Sequence, residues 1–204
     1  MSRAKVPDNW PTYLDAPKDS LLALGVISLV YNQLEGALND VFYAVCRMSH
    51  EQAAILFPKI QNDVRIAMIE HALEWPEWPS SLKSDVLFFL KAFRICATNR
   101  HALMHSYALG ITTLEPSRLV LVKPSRRGEE LTSSVDLDEL RGVADAMHSL
   151  IPFGSFAAAT ASAFWRRRAT GEELNIEPWP QAPERPPLPI ELDWQFRQRA
   201  ADRS

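Results

Sequence analysis

Cysteine is scarce in this 204-residue chain: Cys46 and Cys96 are the only two. Two cysteines make no disulfide framework and no zinc-ligand spacing. Each sits in an apolar helical pattern, so both are expected to be buried, reduced thiols. An excess of positive charge is also lacking. The net charge of −3 excludes a protein held to duplex nucleic acid by its overall field, because that affinity comes mainly from Lys and Arg on phosphates. A local basic patch stays open. Long apolar runs are missing as well. The longest, 21–31 and 151–165, fall short of the roughly 18 apolar residues of a membrane span, and Gly or small residues interrupt them. The opening stretch lacks the apolar centre of a signal peptide. The expectation is a cytoplasmic protein with no membrane partner.

What is present is helical period. The hydrophobic share of 47% suffices for one core with an appendage. Residues 1–19 are polar and proline-bearing and read as an extended arm, with Trp10 and Tyr13 able to pin it. From Leu21, the residues Leu22, Leu24, Val26, Ile27, Tyr31, Leu34, Leu38, Val41 and Val45 recur mainly in steps of three and four. That spacing predicts one amphipathic helix to Arg47, capped by Asp19 or Ser20. Ser49 and Gln52 make a near-match to a capping box for a second helix, which Pro58 interrupts. The period resumes through Ile60, Val64, Ala67, Met68 and Leu73. WPEWPSS breaks the chain before another helix, with Leu82, Val86, Phe89, Leu90, Phe93, Ala97 and Met104 on its buried face.

The period then changes. YALGITTL, RLVLVKP and ELTSSVDL are short, β-branched and alternating, and predict a three-stranded antiparallel meander over about 107–135. Helix returns from about residue 136, with Pro152 and Gly154 marking a kink. Small residues at 157–163 suit close helix–helix approach. After Gly171, six prolines and no helical period predict a separate tail over 171–204, flexible or polyproline-like. The alternative is an arm laid across the core or a partner, anchored by Trp179 and Trp194. ERPPLP holds a P-x-x-P match at Pro186 to Pro189.

One stretch resists the apolar pattern: CATNRHALMHSYALG, residues 96–110. It carries Arg100, His101 and His105 at the end of a helix. Arg65 with His71, Arg94 with His101, and Arg141 with His148 meet a loose Arg-to-His spacing too. Only Arg100 among these is followed directly by Asn, Asp or His. The order Arg-polar-x-x-x-His near a bundle helix end resembles the HEPN superfamily of small helical domains. The first helix resembles the opening helix of a bacterial HEPN-like group through Tyr31, Leu34-Glu35 and Leu38, and AAILFPKIQNDVRIAMIEHAL resembles that group's second segment. The resemblance covers roughly residues 21–165 and leaves the Pro-rich tail outside. It implies an antiparallel HEPN-like bundle over 20–170, with the β meander inserted before the last helix. It also implies metal-independent RNA cleavage between two such domains, hence a homodimer. The setting it implies is toxin or defence, with an antitoxin or other protein partner and no cofactor.

Residue chemistry runs the same way. RNA carries its own nucleophile, the 2′-OH, so an enzyme needs a proton carrier and a cation for the charged phosphorane. His titrates near neutrality and suits the first task; Arg is permanently charged and suits the second. His105 takes the acid/base role, Arg100 the phosphate, and His101 orients one of them. Glu35 and Asn99 are supporting residues, and Arg126, Arg127, Arg166, Arg167 and Arg168 form an RNA-guiding patch. On a helix His101 and His105 lie roughly 40° apart, but Arg100 and His105 roughly 140°, so a two-fold shared site eases their convergence. Blander readings stand beside this one. His105 could serve as a helix cap, with Arg100 paired to Glu35 or Glu70, and Arg166 to Arg168 could simply close the last helix against its dipole. His101 and His105 could hold a transition metal with Glu35, Glu70 or His71, although neither H-E-x-x-H nor E-x-x-H is present. A non-catalytic HEPN-like interaction module is the other functional class.

Overall fold

The computed structural model describes residues 17–111, 118–124, 130–171, 183–193 and 195–196. The arm at 1–16 with Trp10 and Tyr13, the hairpin tip with Arg126 and Arg127, and both Trp179 and Trp194 lie outside the described residues. The protein is mainly helical with a small antiparallel sheet. Its elements are α1 (Lys18–Val45), α2 (His50–Leu56), a 3-10 turn (Phe57–Lys59), α3 (Asn62–Ala72), α4 (Ser80–Met104), β1 (Tyr107–Ile111), β2 (Leu119–Pro124), β3 (Glu130–Val135), α5 (Leu137–Thr170) and β4 (Gln195–Phe196). The strands pair in the order β1-β2-β3-β4, each antiparallel to its neighbour. The expected meander thus gains a fourth strand from the tail.

Local chemistry places most boundaries. Ser49 accepts from the Gln52 backbone at 3.2 Å while Gln52 accepts from the Ser49 backbone at 2.9 Å, so the capping box is complete. Asp136 and Glu139 make a second box that opens α5. Arg118 on the sheet pairs with both carboxylates, at 3.1 and 3.0 Å, and ties the helix start to β2. Pro58 tightens the chain into the 3-10 turn. α1 starts earlier than expected, with Pro17 at the N-cap position and no side-chain cap bond.

The α3 period is out of phase with the sequence expectation. Val64, Ala67 and Met68 are exposed, and Arg65, Ile66, Ile69 and Ala72 are buried. The cause is local: Gln61 is extended, at φ −74 and ψ 156, so Ile60 does not belong to this helix and its phase does not carry across. A charged residue therefore occupies the inner face.

α1, α4 and α5 make the core. α1 and α5 run side by side in the same direction: Val26 faces Ala144 across a small cleft near their starts, and Arg47 lies over the Trp165 ring near their ends. α4 runs the opposite way, with Trp78 stacked on Phe164 and Phe88 edge-on to Phe153. By length and composition α1 does pass as a membrane-crossing helix, which corrects the expectation that no segment would. In the fold, Ile27, Tyr31, Leu34, Leu38 and Val41 spend its apolar face on the core, while Leu22 and Leu29 stay 68% and 66% exposed. Both cysteines are free as expected, but only Cys96 is fully buried and Cys46 is half-buried; burial pushes the Cys46 thiol up to about 11 and the Cys96 thiol up to about 12.

α5 runs unbroken through Pro152, which lies on the solvent side. Gly154 does more. A side chain there would meet the Phe89 ring, whose Cζ stands 2.8 Å from the position of the missing Cβ. Gly142, on the same helix, has nothing within 4 Å. Gly154→Ala is expected to cost about 1–3 kcal/mol by overpacking, whereas Gly142→Ala should gain roughly 0.5–1 kcal/mol from helix propensity. Paired urea denaturation curves check both signs, and two variants of equal stability would contradict the close approach.

The tail does not behave as a free segment over 183–193. Arg185 pairs with Asp85 at 2.6 Å, donates to Ser84 at 3.2 Å and lies over the Phe88 ring. Pro189 is buried and Leu192 packs on the core. From Asp85 to Asn99 is roughly 21 Å of helix, and Arg185 to Glu191 spans roughly 19 Å as a polyproline-like chain. The strap therefore runs along α4 in the same direction, matching its length.

Candidate functional site

The last turn of α4 holds the residues singled out by sequence. His101 and His105 are both exposed, and their ring centroids are 4.4 Å apart at a 41° tilt. The i, i+4 spacing on one helix face produces this contact directly. His105 terminates the helix, its backbone N–H donating to the His101 carbonyl at 3.0 Å. Burial lowers the pKa of His101 below its ordinary 6.5, and the neighbouring His105, Lys123 and Arg100 lower it further by charge. The pair therefore sits in a field of cations. Lys123 on β2 is itself pushed down by burial and partly restored by Glu191 of the strap.

Arg100 turns away from the pair. Its guanidinium lies 5.3 Å from the Tyr31 ring centroid, and its Nε is buried without a hydrogen-bond partner. No carboxylate lies within ion-pair distance of it among the described residues. Glu35 is not its partner: Glu35 accepts from Asn62 Nδ2 at 2.9 Å and stands 3.8 Å from Arg65. Glu70 pairs with Arg94 at 2.7 Å instead. Tyr31 lies between these groups. It accepts from Asn62 at 3.1 Å, and burial with Glu35 pushes its phenol up to about 12 against the pull of Arg100. Arg65 lies over the Phe57 ring and donates to the Phe57 carbonyl and to Asn62.

Asn99 is not a support for the histidines. It is buried, its Nδ2 donates to the Ile190 carbonyl at 2.8 Å, and its Oδ1 accepts from the Leu192 N–H at 2.9 Å. One amide thus satisfies both backbone groups that flank Glu191. Beside this clamp, α4, α5 and the strap form an open pocket of about 680 Å³, lined by Cys96, Gly142, Val143, Ala146, Pro187 and Ile190 among others.

Arg166, Arg167 and Arg168 do not join the α4 end. They close α5 at the opposite end of the bundle, roughly 50 Å of helix from its start. Arg168 pairs there with Glu77 at 3.3 Å. His71 is exposed and contacts Glu74 at 3.2 Å. Among the described residues no three His, Cys, Asp or Glu side chains are grouped to hold a metal ion, so the metal alternative finds no ligand set in them. Sequence reasoning missed Tyr31, Asn62 and Arg65 as polar neighbours, and Lys123 and Glu191 at the cluster. A phase count restarted at Asn62 would have put Arg65 inside.

Comparison with protein-family models, with curated proteins and with solved structures finds no match to this chain.

Two expectations follow from the geometry. The His101 imidazole should titrate below 6.5, and His105→Ala should raise its midpoint by removing a like charge. NMR pH titration reads this; an unmoved midpoint would mean the rings are not coupled. Asn99→Ala should cost about 1–3 kcal/mol by leaving two backbone groups without their partner, and should speed hydrogen exchange at the Leu192 amide.

Proposed function

We propose that this chain is a metal-independent, HEPN-type endoribonuclease whose reacting surface is the His101–His105 pair. The observation that carries the reading is two exposed imidazoles in contact, one of them with its pKa lowered by burial and by the charges of His105, Lys123 and Arg100. A neutral imidazole takes the proton from the RNA 2′-OH. The O2′–P bond forms, the phosphorane charge is met by the cations, and the P–O5′ bond breaks. The leaving 5′ oxygen takes a proton from an imidazolium, and the other fragment ends as a 2′,3′-cyclic phosphate.

In-line displacement puts the attacking and leaving oxygens on opposite sides of phosphorus. Rings 4.4 Å apart stand on one side of it. One chain's pair therefore serves one end of the reaction, and a second copy across a two-fold axis serves the other. The proposal thus includes a homodimer. It departs from the residue roles expected from sequence: His101 becomes the base candidate beside His105, and Arg100 reaches a phosphate only by leaving the Tyr31 ring.

That last point favours a second reading, a non-catalytic interaction module in which Arg100 is structural. Wild type, His101→Ala, His105→Ala and Arg100→Ala, incubated with total RNA in EDTA, separate the two. Size and thermal stability are followed in parallel. The nuclease reading expects cleavage by wild type, cyclic-phosphate ends, and a loss of roughly 10²–10⁴-fold in the folded histidine variants. Absence of cleavage together with marked destabilisation of Arg100→Ala would sink it and leave the interaction module.

A further inference from the structure

The pocket between α4, α5 and the strap has lining residues of two kinds. Cys96, Val143 and Pro189 are buried, and Ala146 and Leu192 are half-buried. Two more aliphatic lining residues stay open to solvent, Leu188 at 38% and Ile190 at 86%. The strap is held by polar contacts, at Asn99 and at Arg185, and so leaves these side chains uncovered. Asn99 spends its amide on the strap backbone, so this wall is apolar in effect.

The charged lining residues are all of one sign. Asp136, Asp138 and Glu139 come from the start of α5, and Glu191 and Asp193 from the strap; among the described residues no Lys, Arg or His lines the pocket. Arg118 answers Asp136 and Glu139 from the sheet, and Arg141 answers Asp138. Both strap carboxylates are exposed, and Glu191 also acts on Lys123, which lies outside the lining. Five carboxylates around the pocket repel an anion, so a phosphate is not its ligand. The volume of about 680 Å³ falls in the range of small-molecule sites, roughly 300–1,000 Å³.

We infer that this pocket binds a small organic cation with an apolar body, an alkyl- or arylammonium compound, its hydrocarbon against Val143, Ala146, Leu188 and Ile190 and its ammonium among the carboxylates of Asp138, Glu191 and Asp193. The apolar wall supplies the affinity, and the carboxylates select the charge. The site is separate from the histidine pair, because Asn99 and His101 point roughly 200° apart around α4. It stands whether or not the chain cleaves RNA.

The test uses the full chain and three probes with one apolar body, phenylbutylammonium, phenylbutanol and phenylbutyrate, titrated by calorimetry at low and high salt. The ammonium should bind tightest and the carboxylate weakest, roughly tenfold or more apart at low salt, with the gap narrowing as salt screens it. Glu191→Gln combined with Asp193→Asn should weaken the ammonium roughly threefold to tenfold and leave the alcohol unchanged. Ala146→Trp, which fills the pocket, should abolish binding of all three. Ile190→Ala changes an exposed residue and so leaves the fold intact; it should weaken all three alike, and it decides the matter if Ala146→Trp does not fold. Equal affinity for the three probes would overturn the inference, as would no ammonium binding up to millimolar concentration. Ammonium binding that survives both Ala146→Trp and Ile190→Ala would place the probe elsewhere and overturn it too.

Discussion

The contact of Phe89 with Gly154 sets how closely α4 and α5 approach, and much of the functional end depends on that spacing. At this point the missing side chain lets an aromatic ring lie against helix backbone. Further along, where Cys96 and Asn99 face Gly142, Val143 and Ala146, the same two helices leave a groove. The groove is narrow enough for one extended chain and too wide to close by itself. A proline-rich segment fits it on entropic grounds, since its backbone is already restricted before it docks. Asn99 supplies what such a segment needs from a helix, an acceptor and a donor at the spacing of a backbone pair. Without the groove Asn99 would be an unsatisfied buried amide, a costly thing to keep.

Electrostatics at the α4 end follow from where the guanidiniums go. Arg65 and Arg100 both lie over aromatic rings, Phe57 and Tyr31, and Glu35 sits near only the first. These three groups carry one net positive charge. Adding Lys123 makes protonation of His101 costlier still. A cluster of this kind is stable only if solvent, an anion or an internal carboxylate answers it. In the proposed nuclease, an RNA phosphate would be that anion.

How much of this was legible in the sequence depended on whether the cause was local. The Ser49 capping box, the Pro58 interruption and the α4 core face from Leu82 to Phe93 are set by neighbouring residues and appear as read, while past Phe93 the buried residues are Cys96, Asn99, Ala102 and Leu103, with Ala97 and Met104 only half-buried. The phase of α3 failed because a single extended residue, Gln61, resets the helix, and apolar periodicity does not register a reset of that kind. The strap stayed undecided between a free tail and an arm on the core for another reason: its order comes from partners more than ninety residues away, Asp85 and Asn99, which no window along the chain contains. The histidine pair was legible because i, i+4 spacing fixes it. The direction of Arg100 was not, because a flexible side chain at the seam of two helices is decided by Tyr31, on another element.

The competing pulls on Arg100 bear directly on the proposed catalysis. If Arg100 stays on Tyr31, the phosphate meets Lys123 and the histidines alone, and Arg100 acts only through its field on His101. If it swings out, it gains a bidentate partner but leaves the phenol face and exposes the seam between α1 and α4. The buried Nε has no hydrogen bond to lose in that move, so the cost is chiefly packing. A second copy approaching across the α4 ends would change the balance, since it brings the like charges of two clusters together and a bound phosphodiester would have to neutralise them. In the proposed nuclease, a second copy, the RNA and an outward Arg100 would be coupled by one requirement, that positive charge at this end be matched.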